Sequence, residues 1–286
     1  TSAVVEPTAP WSPSGSTRLV AVIGHPVGHS RSPALANAAF RAAGLDWTMV
    51  AFDVAEGAAE AAIHGVRALG IGGLMVTMPH KAAVIPALDS LTPTARALHA
   101  VNSISWVDGA LVGHNTDGEG LVSSLRHDTG LEVAGRRCVV VGAGGAARSV
   151  VHALAGAGAA EVVVVNRTAE RAASAALLAG PVGRVGSPAD VANADLVVNA
   201  TSVGMGAAPG APGPVPFPID LLQPGQVVVD LVYQPVVTPL LAAAGARGAR
   251  PVDGIGMLVH QAALSLERWT GAPPDLAAMQ LAARGG

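Results

Sequence analysis

The chain has 286 residues, half of them hydrophobic but only 3% aromatic, so a sizeable aliphatic core is available and two domains are the first expectation. A formal net charge of −3 with no basic block argues against a nucleic-acid partner. Mean hydropathy is +0.46, yet the longest apolar region, near 149–165, is broken by His152, Glu161 and several glycines, and a spanning helix needs roughly 20 apolar residues in a row.

Residues 1–17 have no charged start followed by a long apolar core. They read as a disordered tail rather than a signal peptide, as in a cytoplasmic protein. The single cysteine, Cys138, opens an apolar run and reads as a buried strand thiol. Strands are expected at 18–24, 47–54, 72–77, 101–107, 137–142, 161–166, 195–200 and 226–231. Helices are expected at 33–43, 56–69, 79–88, 117–126, 145–157, 168–178, 238–247 and 255–269. Alternation of apolar strands with Ala-rich helices predicts an α/β fold of parallel sheets covered on both faces.

After the first strand comes "GHPVGHSRSP" (24–33). Ser32 before Pro33 is N-cap chemistry. Ser30 and Ser32 stand at i and i+2, so in an extended turn both hydroxyls face one side, with Arg31 directed away. A helix N-terminus favours an anion, so the stretch reads either as a helix start or as an anion site. Next, "LMVTMPHK" ends the third strand with Thr77 and Lys81. A lysine at the carboxyl edge of a sheet lies where α/β ligands bind, and its amine can pass a proton to a carbonyl oxygen. "HAVNSIS" then supplies Asn102, and "VGHNTDGEG" supplies Asn115, Thr116 and Asp117. Asp117 is either the N-cap of the following helix or a carboxylate that orients the ammonium.

The second half carries its own signature, "VVVGAGGAARSV", a G-x-G-x-x-A pattern between a strand and a helix. Gly142 permits the tight turn, Gly144 the approach of a pyrophosphate, and Ala147 close helix packing. The next strand ends in Asn166, Arg167 and Thr168, where an NAD site has an acidic residue. A guanidinium pairs with a 2′-phosphate that a carboxylate would repel, so NADP is preferred over NAD. Arg148 lies near the same edge. Alternatively Asn166 and Thr168 only cap the next helix. The segment 204–218 is too rich in Gly and Pro for regular structure and is either functional or a surface insertion. No His/Cys/Asp set shows metal-ligand spacing, so no metal is expected.

In this order, "GHPVGHSRSP", "VTMPHK", "AVNS", "HNTDG", "GAGGAAR", "NRT", "NATSVGM", "DLVYQPVVTPLL" and "GIGMLVHQA" resemble the shikimate dehydrogenase family over about residues 18–285. The resemblance implies an α/β fold of two domains with a cleft between. A substrate domain with a mostly parallel sheet is expected at 18–116 plus 254–286, and a Rossmann-like NADP-binding domain at 117–253. It also implies NADP-dependent reversible reduction of 3-dehydroshikimate to shikimate, in aromatic amino-acid biosynthesis, with hydride delivered to the C3 carbonyl. Lys81 and Asp117 then match the catalytic pair. Ser30, Ser32 and Tyr233 match the carboxylate grip, and Thr77, Asn102 and Gln261 the partners of the ring hydroxyls. The cofactor site would comprise Gly142, Ala143, Gly144, Gly145, Ala146, Arg148, Asn166, Arg167, Thr168, Thr201, Ser202, Met205, Leu231 and Gly254, with Asn199 beside them. Quinate/shikimate and aminoshikimate dehydrogenases share the plan. Ser32, where a threonine accompanies quinate use, favours shikimate. A non-catalytic shikimate sensor is disfavoured by retention of Lys81 and Asp117, and a methylenetetrahydrofolate dehydrogenase by "HSRSP" with "HNTDG". Monomer and homodimer are both compatible.

Overall fold

Aliphatic strand runs build two six-stranded sheets in the computed structural model, which describes residues 12–208 and 213–285. Most of the expected tail (1–11) and residues 209–212 of the Gly/Pro segment lie outside those residues. The tail expectation fails at its end. Ser14 to Thr17 form a turn, and the hydroxyls of Ser16 and Thr17 donate to Asp46 at 3.1 and 2.7 Å.

The first sheet contains β1 (Arg18–Gly24), β2 (Trp47–Asp53), β3 (Gly73–Val76), β4 (Ser90–Leu91), β5 (Ser103–Val107) and β6 (Ala110–His114), in the order β2-β1-β3-β5-β6-β4. Its β1, β2 and β3 are parallel, but β5 runs antiparallel to β3 and β6 antiparallel to β5. The reason is local. Asp108 and Gly109 both take positive φ, 49° and 81°, the two-residue Asp-Gly turn that closes a hairpin. The sheet is thus mostly parallel, as expected, with β5 as its antiparallel strand. The helices of this half are α1 (Ser32–Ala42), α2 (Ala59–Leu69) and α3 (Pro93–Leu98). The helix expected at 79–88 is a series of turns ending in a 3₁₀ turn, Ile85–Ala87. Pro86 cannot donate to a helical ladder, and the Lys81 carbonyl accepts from Val101 N at 2.7 Å instead.

The second sheet is wholly parallel: β7 (Arg137–Val141), β8 (Glu161–Val165), β9 (Gly183–Val185), β10 (Leu196–Asn199), β11 (Val227–Asp230) and β12 (Arg250–Val252), ordered β12-β11-β10-β7-β8-β9. Both faces are buried, as continuous valine runs require. Cys138, Val140, Val162, Val164 and Val198 pack on one side, with Leu121 and Val150. Val139, Val163, Val197 and Val228 pack on the other, with Phe217 and Leu240. Cys138 is the buried strand thiol that the sequence predicts, and burial pushes it up to about 12. The helices here are α4 (Asp117–Ser124), α5 (Gly145–Gly156), α6 (Ala169–Ala176) and α7 (Pro239–Ala246).

Two final helices, α8 (Ile255–Thr270) and α9 (Leu276–Arg284), return to the first sheet. Val259, Ala262, Leu266 and Trp269 join Val20, Val22, Leu35 and Phe40 in one core, together with Met279 and Ala283 of α9. Trp269 Nε1 donates to the Ile104 carbonyl at 3.0 Å. A Cβ on Gly73 would stand 2.4 Å from its ring, so that strand position must stay bare. Between the two sheets lies α4. A Cβ on Gly118 would meet Ser149 O of α5 at 2.2 Å, and one on Gly120 would meet Gln261 N of α8 at 2.6 Å. The "DGEG" run thus lets one helix touch two others at backbone distance.

Candidate active site

The carboxyl edges of the two sheets face a cavity of about 230 Å³. All eight expected catalytic and substrate residues line it: Ser30, Ser32, Thr77, Lys81, Asn102, Asp117, Tyr233 and Gln261. Ala146, Leu231 and Gly254 of the expected cofactor set also reach it, with Met257 and Leu258 of α8.

Lys81 and Asp117 come from different elements, 36 residues apart, and meet at 2.6 Å between Nζ and Oδ2. Their side chains are 29% and 10% exposed. Asp117 is the first residue of α4, and Thr116, not Asp117, holds the N-cap position. The positive end of the helix therefore favours the carboxylate. Asn115 Oδ1 accepts from the Asp117 N–H at 3.2 Å. Asn102, 3% exposed, organises the pair from behind. Its Oδ1 accepts from Thr116 N at 2.8 Å. Its Nδ2 has acceptors in Asp117 Oδ1 at 2.7 Å, Thr116 Oγ1 at 2.9 Å and Gln261 Oε1 at 3.2 Å. Three acceptors share two hydrogens, so the most distant, Gln261, retains capacity for a ligand hydroxyl. Thr77 is brought in where the chain crosses Gly24: a Cβ there would lie 2.5 Å from Thr77 Cγ2.

The serine stretch departs from expectation. Arg31 holds the N-cap position of α1 without a side-chain cap, and Ser32 is the first helical residue. It is Ser30 Oγ that accepts from Ser32 N, at 3.3 Å. Nor does Arg31 point away. It lines the cavity, its guanidinium lies 5.7 Å from the Tyr233 ring centroid, and it donates to the Ala283 carbonyl. The i, i+2 argument fails because the backbone at Arg31 is already α-helical, with φ −84° and ψ −7°. Sequence reasoning thus misses a cation beside the two hydroxyls, although it stands between them. Near the cavity, His29 lines the wall, while His80 Nε2 lies 2.7 Å from the Val54 carbonyl and His114 Nε2 2.8 Å from Ser105 Oγ. Burial pushes His114 down to about 4.

On the other side, the glycine turn has the shape a pyrophosphate needs. Gly142 has φ +117°, and a Cβ there would lie 2.9 Å from Ala200 O. Gly144 and Gly145 have nothing within 4 Å of a built Cβ. Gly144 is the N-cap of α5 with no side-chain cap, so the N–H groups that start this helix face open space. Asn166, Arg167 and Thr168 follow β8. Asn166 Nδ2 donates to the Thr168 carbonyl at 3.0 Å, Thr168 occupies the N-cap of α6 without capping it, and Arg167 is exposed. Among the described residues, the capping alternative therefore leaves the Arg167 guanidinium and the Thr168 hydroxyl without a structural task. Arg148 donates to Ser174 Oγ at 3.1 Å. These residues fit a dinucleotide with a phosphate at its adenosine end.

Thr201, Ser202 and Met205 do not line the cavity. Thr201 Oγ1 donates to Asn199 Oδ1 at 2.7 Å, and Met205 is 65% exposed. Behind them sits a carboxylate that sequence reasoning passes over. Asp230, fully buried at the end of β11, accepts from Asn199 Nδ2 at 2.8 Å, Val232 N at 3.1 Å and Thr238 Oγ1 at 2.6 Å. Burial pushes its carboxyl up against those bonds. It ties the Asn199 loop to the segment that presents Leu231 and Tyr233.

A Lys–Asp pair, a glycine turn onto an uncapped helix start and a cavity shared by two sheet edges define a two-domain dinucleotide-binding oxidoreductase architecture. Comparison with known proteins narrows the class. Three family models match in chain order: "Shikimate dehydrogenase substrate binding domain" at residues 22–104, "Shikimate / quinate 5-dehydrogenase" at 124–204 and "Shikimate 5'-dehydrogenase C-terminal domain" at 254–284. A shikimate dehydrogenase (NADP(+)) of Moorella thermoacetica is 47% identical over 274 residues, 92% of each chain. The structure of shikimate 5-dehydrogenase from Thermus thermophilus in complex with NADP(H) and shikimate superposes with a TM-score of 0.86 at 38% identity, covering 93% of this chain and 98% of that one. Quinate dehydrogenase from Corynebacterium glutamicum in complex with NAD gives a TM-score of 0.83 at 32% identity, over 93% and 98%. The chain belongs to the shikimate dehydrogenase family.

Proposed function

We propose that this protein catalyses the reversible NADP-dependent reduction of 3-dehydroshikimate to shikimate. The observation that carries this reading is the convergence of Lys81, Asp117, Asn102, Gln261, Ser30, Ser32 and Tyr233 on one cavity opposite the glycine turn. Residues 18–116 with 254–286 serve as the substrate domain and 117–253 as the cofactor domain. As for location, no helix among the described residues is long and apolar enough to cross a membrane, and we take the enzyme to work in the cytoplasm.

Gly142, Ala143, Gly144, Gly145 and the first turn of α5 would hold the pyrophosphate, with Asn166, Arg167, Thr168 and Arg148 toward the 2′-phosphate. Leu231, Gly254 and Ala146, which line the cavity, would hold the nicotinamide end. Bound there, NADP supplies the acceptor or donor of hydride. The remaining work falls to side chains. Ser30, Ser32 and Tyr233 bind the substrate carboxylate, and Arg31 adds positive charge beside them. Thr77, Asn102 and Gln261 fix the ring hydroxyls. Lys81 Nζ, oriented by Asp117, takes the proton from the C3 hydroxyl in oxidation and returns it to the carbonyl oxygen in reduction. The decisive experiment measures NADPH or NADH formation with shikimate, quinate and aminoshikimate. Shikimate with NADP should give the highest kcat/KM. No turnover on any of the three would refute the enzyme reading, and faster turnover of quinate would move the substrate assignment.

A further inference from the structure

Helix α8 presents two faces. Met257, Leu258 and Gln261, at helical spacing, face the active-site cavity together with the N-cap Gly254. His260 is set about a third of a turn away and meets the π-helical turn Leu125–Thr129 that follows α4. There the His127 and His260 ring centroids lie 5.3 Å apart, and His127 Nδ1 is 2.9 Å from Asp128 Oδ1. One ligand atom from each of His127, Asp128 and His260 lies within 4.8 Å of the other two. A second observation is independent of that spacing. His260 is only 6% exposed, and its Nε2 has no hydrogen-bond partner among the described residues. Buried polar groups are rarely left so.

We propose that His127, Asp128 and His260 form a binding site for a divalent transition-metal ion of the zinc class, separate from the active-site cavity. Two imidazoles and a carboxylate suit zinc and its neighbours, whereas calcium and magnesium take oxygen ligands. Ligands about 2.1 Å from a tetrahedral ion stand roughly 3.4 Å apart, so a pair at the 4.8 Å limit would have to close by about 1.4 Å. His127, exposed on the turn, supplies that movement. The turn itself is held: Arg250 donates to the carbonyls of Thr129 and Asp128 at 2.6 and 3.2 Å, and Gln280 Nε2 lies 3.4 Å from Asp128 Oδ1. The Arg250 charge opposes a cation, which points to micromolar rather than tighter affinity. A neighbouring cavity of about 400 Å³, bordered by His127, Asp128 and Gln280, gives entry and room for water as the remaining ligand. The ion would clamp the far end of α4 to α8, the two helices that carry Asp117 and Gln261. Sequence spacing hid the site because His260 lies 132 residues beyond Asp128 in the chain.

The test uses the untagged full-length protein, stripped with chelator and titrated with Co²⁺ and then Zn²⁺. One equivalent of Co²⁺ should bind in the micromolar range with visible d–d absorption, and Zn²⁺ should raise Tm. His127→Gln, a surface change, should weaken Co²⁺ binding at least tenfold and abolish the Tm response, leaving metal-free shikimate turnover within twofold of the parent. Asp117→Asn should bind Co²⁺ like the parent, which separates this site from the cleft whatever the substrate proves to be. Undiminished binding in His127→Gln, or binding only at millimolar Co²⁺, would mean an adventitious ion only and overturn the proposal.

Discussion

Asp117→Asn removes one charge and almost no volume. Both carboxylate oxygens already accept, from Lys81 Nζ at 2.6 Å and from Asn102 Nδ2 at 2.7 Å. An amide has one acceptor oxygen and one donor NH₂. Whichever way it turns, a donor must face either the ammonium or the Asn102 amide. One hydrogen bond to a charged group is lost, worth about 1.5–3 kcal/mol. The lysine side chain is 29% exposed and can turn to water, so the folding equilibrium should move by only about 1 kcal/mol. Catalysis has no such escape, because Nζ must stay on the C3 oxygen. The same loss of about 1.5–3 kcal/mol from the transition state lowers kcat about 10- to 150-fold. Initial rates of NADPH formation across a shikimate series separate kcat from KM, and a thermal melt on the same sample checks folding. A kcat within threefold of the parent in a folded protein would refute the assignment of Asp117 as the group that orients Lys81.

Ser30→Ala should raise KM for shikimate and also cost about 0.5–1 kcal/mol of stability, because its Oγ accepts from Ser32 N. Ser32→Ala should raise KM with little change in urea denaturation, and the opposite order would return the capping role to Ser32. Replacing Arg167 by Ala should lower kcat/KM for NADP about tenfold or more while leaving NAD nearly untouched, and equal loss with both cofactors would remove it from 2′-phosphate recognition. Gly120→Ala pushes a Cβ to 2.6 Å from Gln261 N. It should destabilise by about 1–3 kcal/mol and raise KM for shikimate, since the helix that gives way carries Gln261; unchanged melting would show that α4 and α8 are not locked. His114, titrating near 6.5 in the unfolded chain, is held down to about 4 by burial. Between those values the unfolded chain takes up a proton that the folded one refuses, so stability falls as pH drops through that window. After discounting for its partial exposure, the loss between pH 7 and pH 5 is about 1 kcal/mol. In His114→Gln that much less should be lost, measured by urea denaturation at both pH values, and identical losses would exclude His114 as a source of acid sensitivity.

Much of the site is legible residue by residue. Lys81, Asp117 and the glycine turn follow strand ends and Asn102 precedes β5, and ligands of open α/β sheets gather at the carboxyl edge. Legibility ends where a residue's direction depends on a neighbouring element. Strand geometry directs Arg31 outward, but a helical backbone and the carbonyl of Ala283 on α9 turn it into the cavity. Motif order puts Thr201 beside the cofactor, but its hydroxyl is taken by Asn199 within the network around buried Asp230. The π-helical turn after α4 and the strands β4, β9 and β12 carry too few residues to show a period.

By itself the sequence determines the α/β alternation, the valine strands that must be covered on both faces, the Gly142 turn and the order of the motifs, because each depends on residues within about a dozen positions of one another. Tertiary structure alone decides that Lys81 meets Asp117 across 36 residues, and that α8 returns to lay Gln261 against Gly120. It also decides that Ser30 rather than Ser32 receives the helix N–H, and that His260 reaches His127 and Asp128. Those pairings follow from where two sheets and three helices settle against one another, and close packing sets such distances from both sides at once.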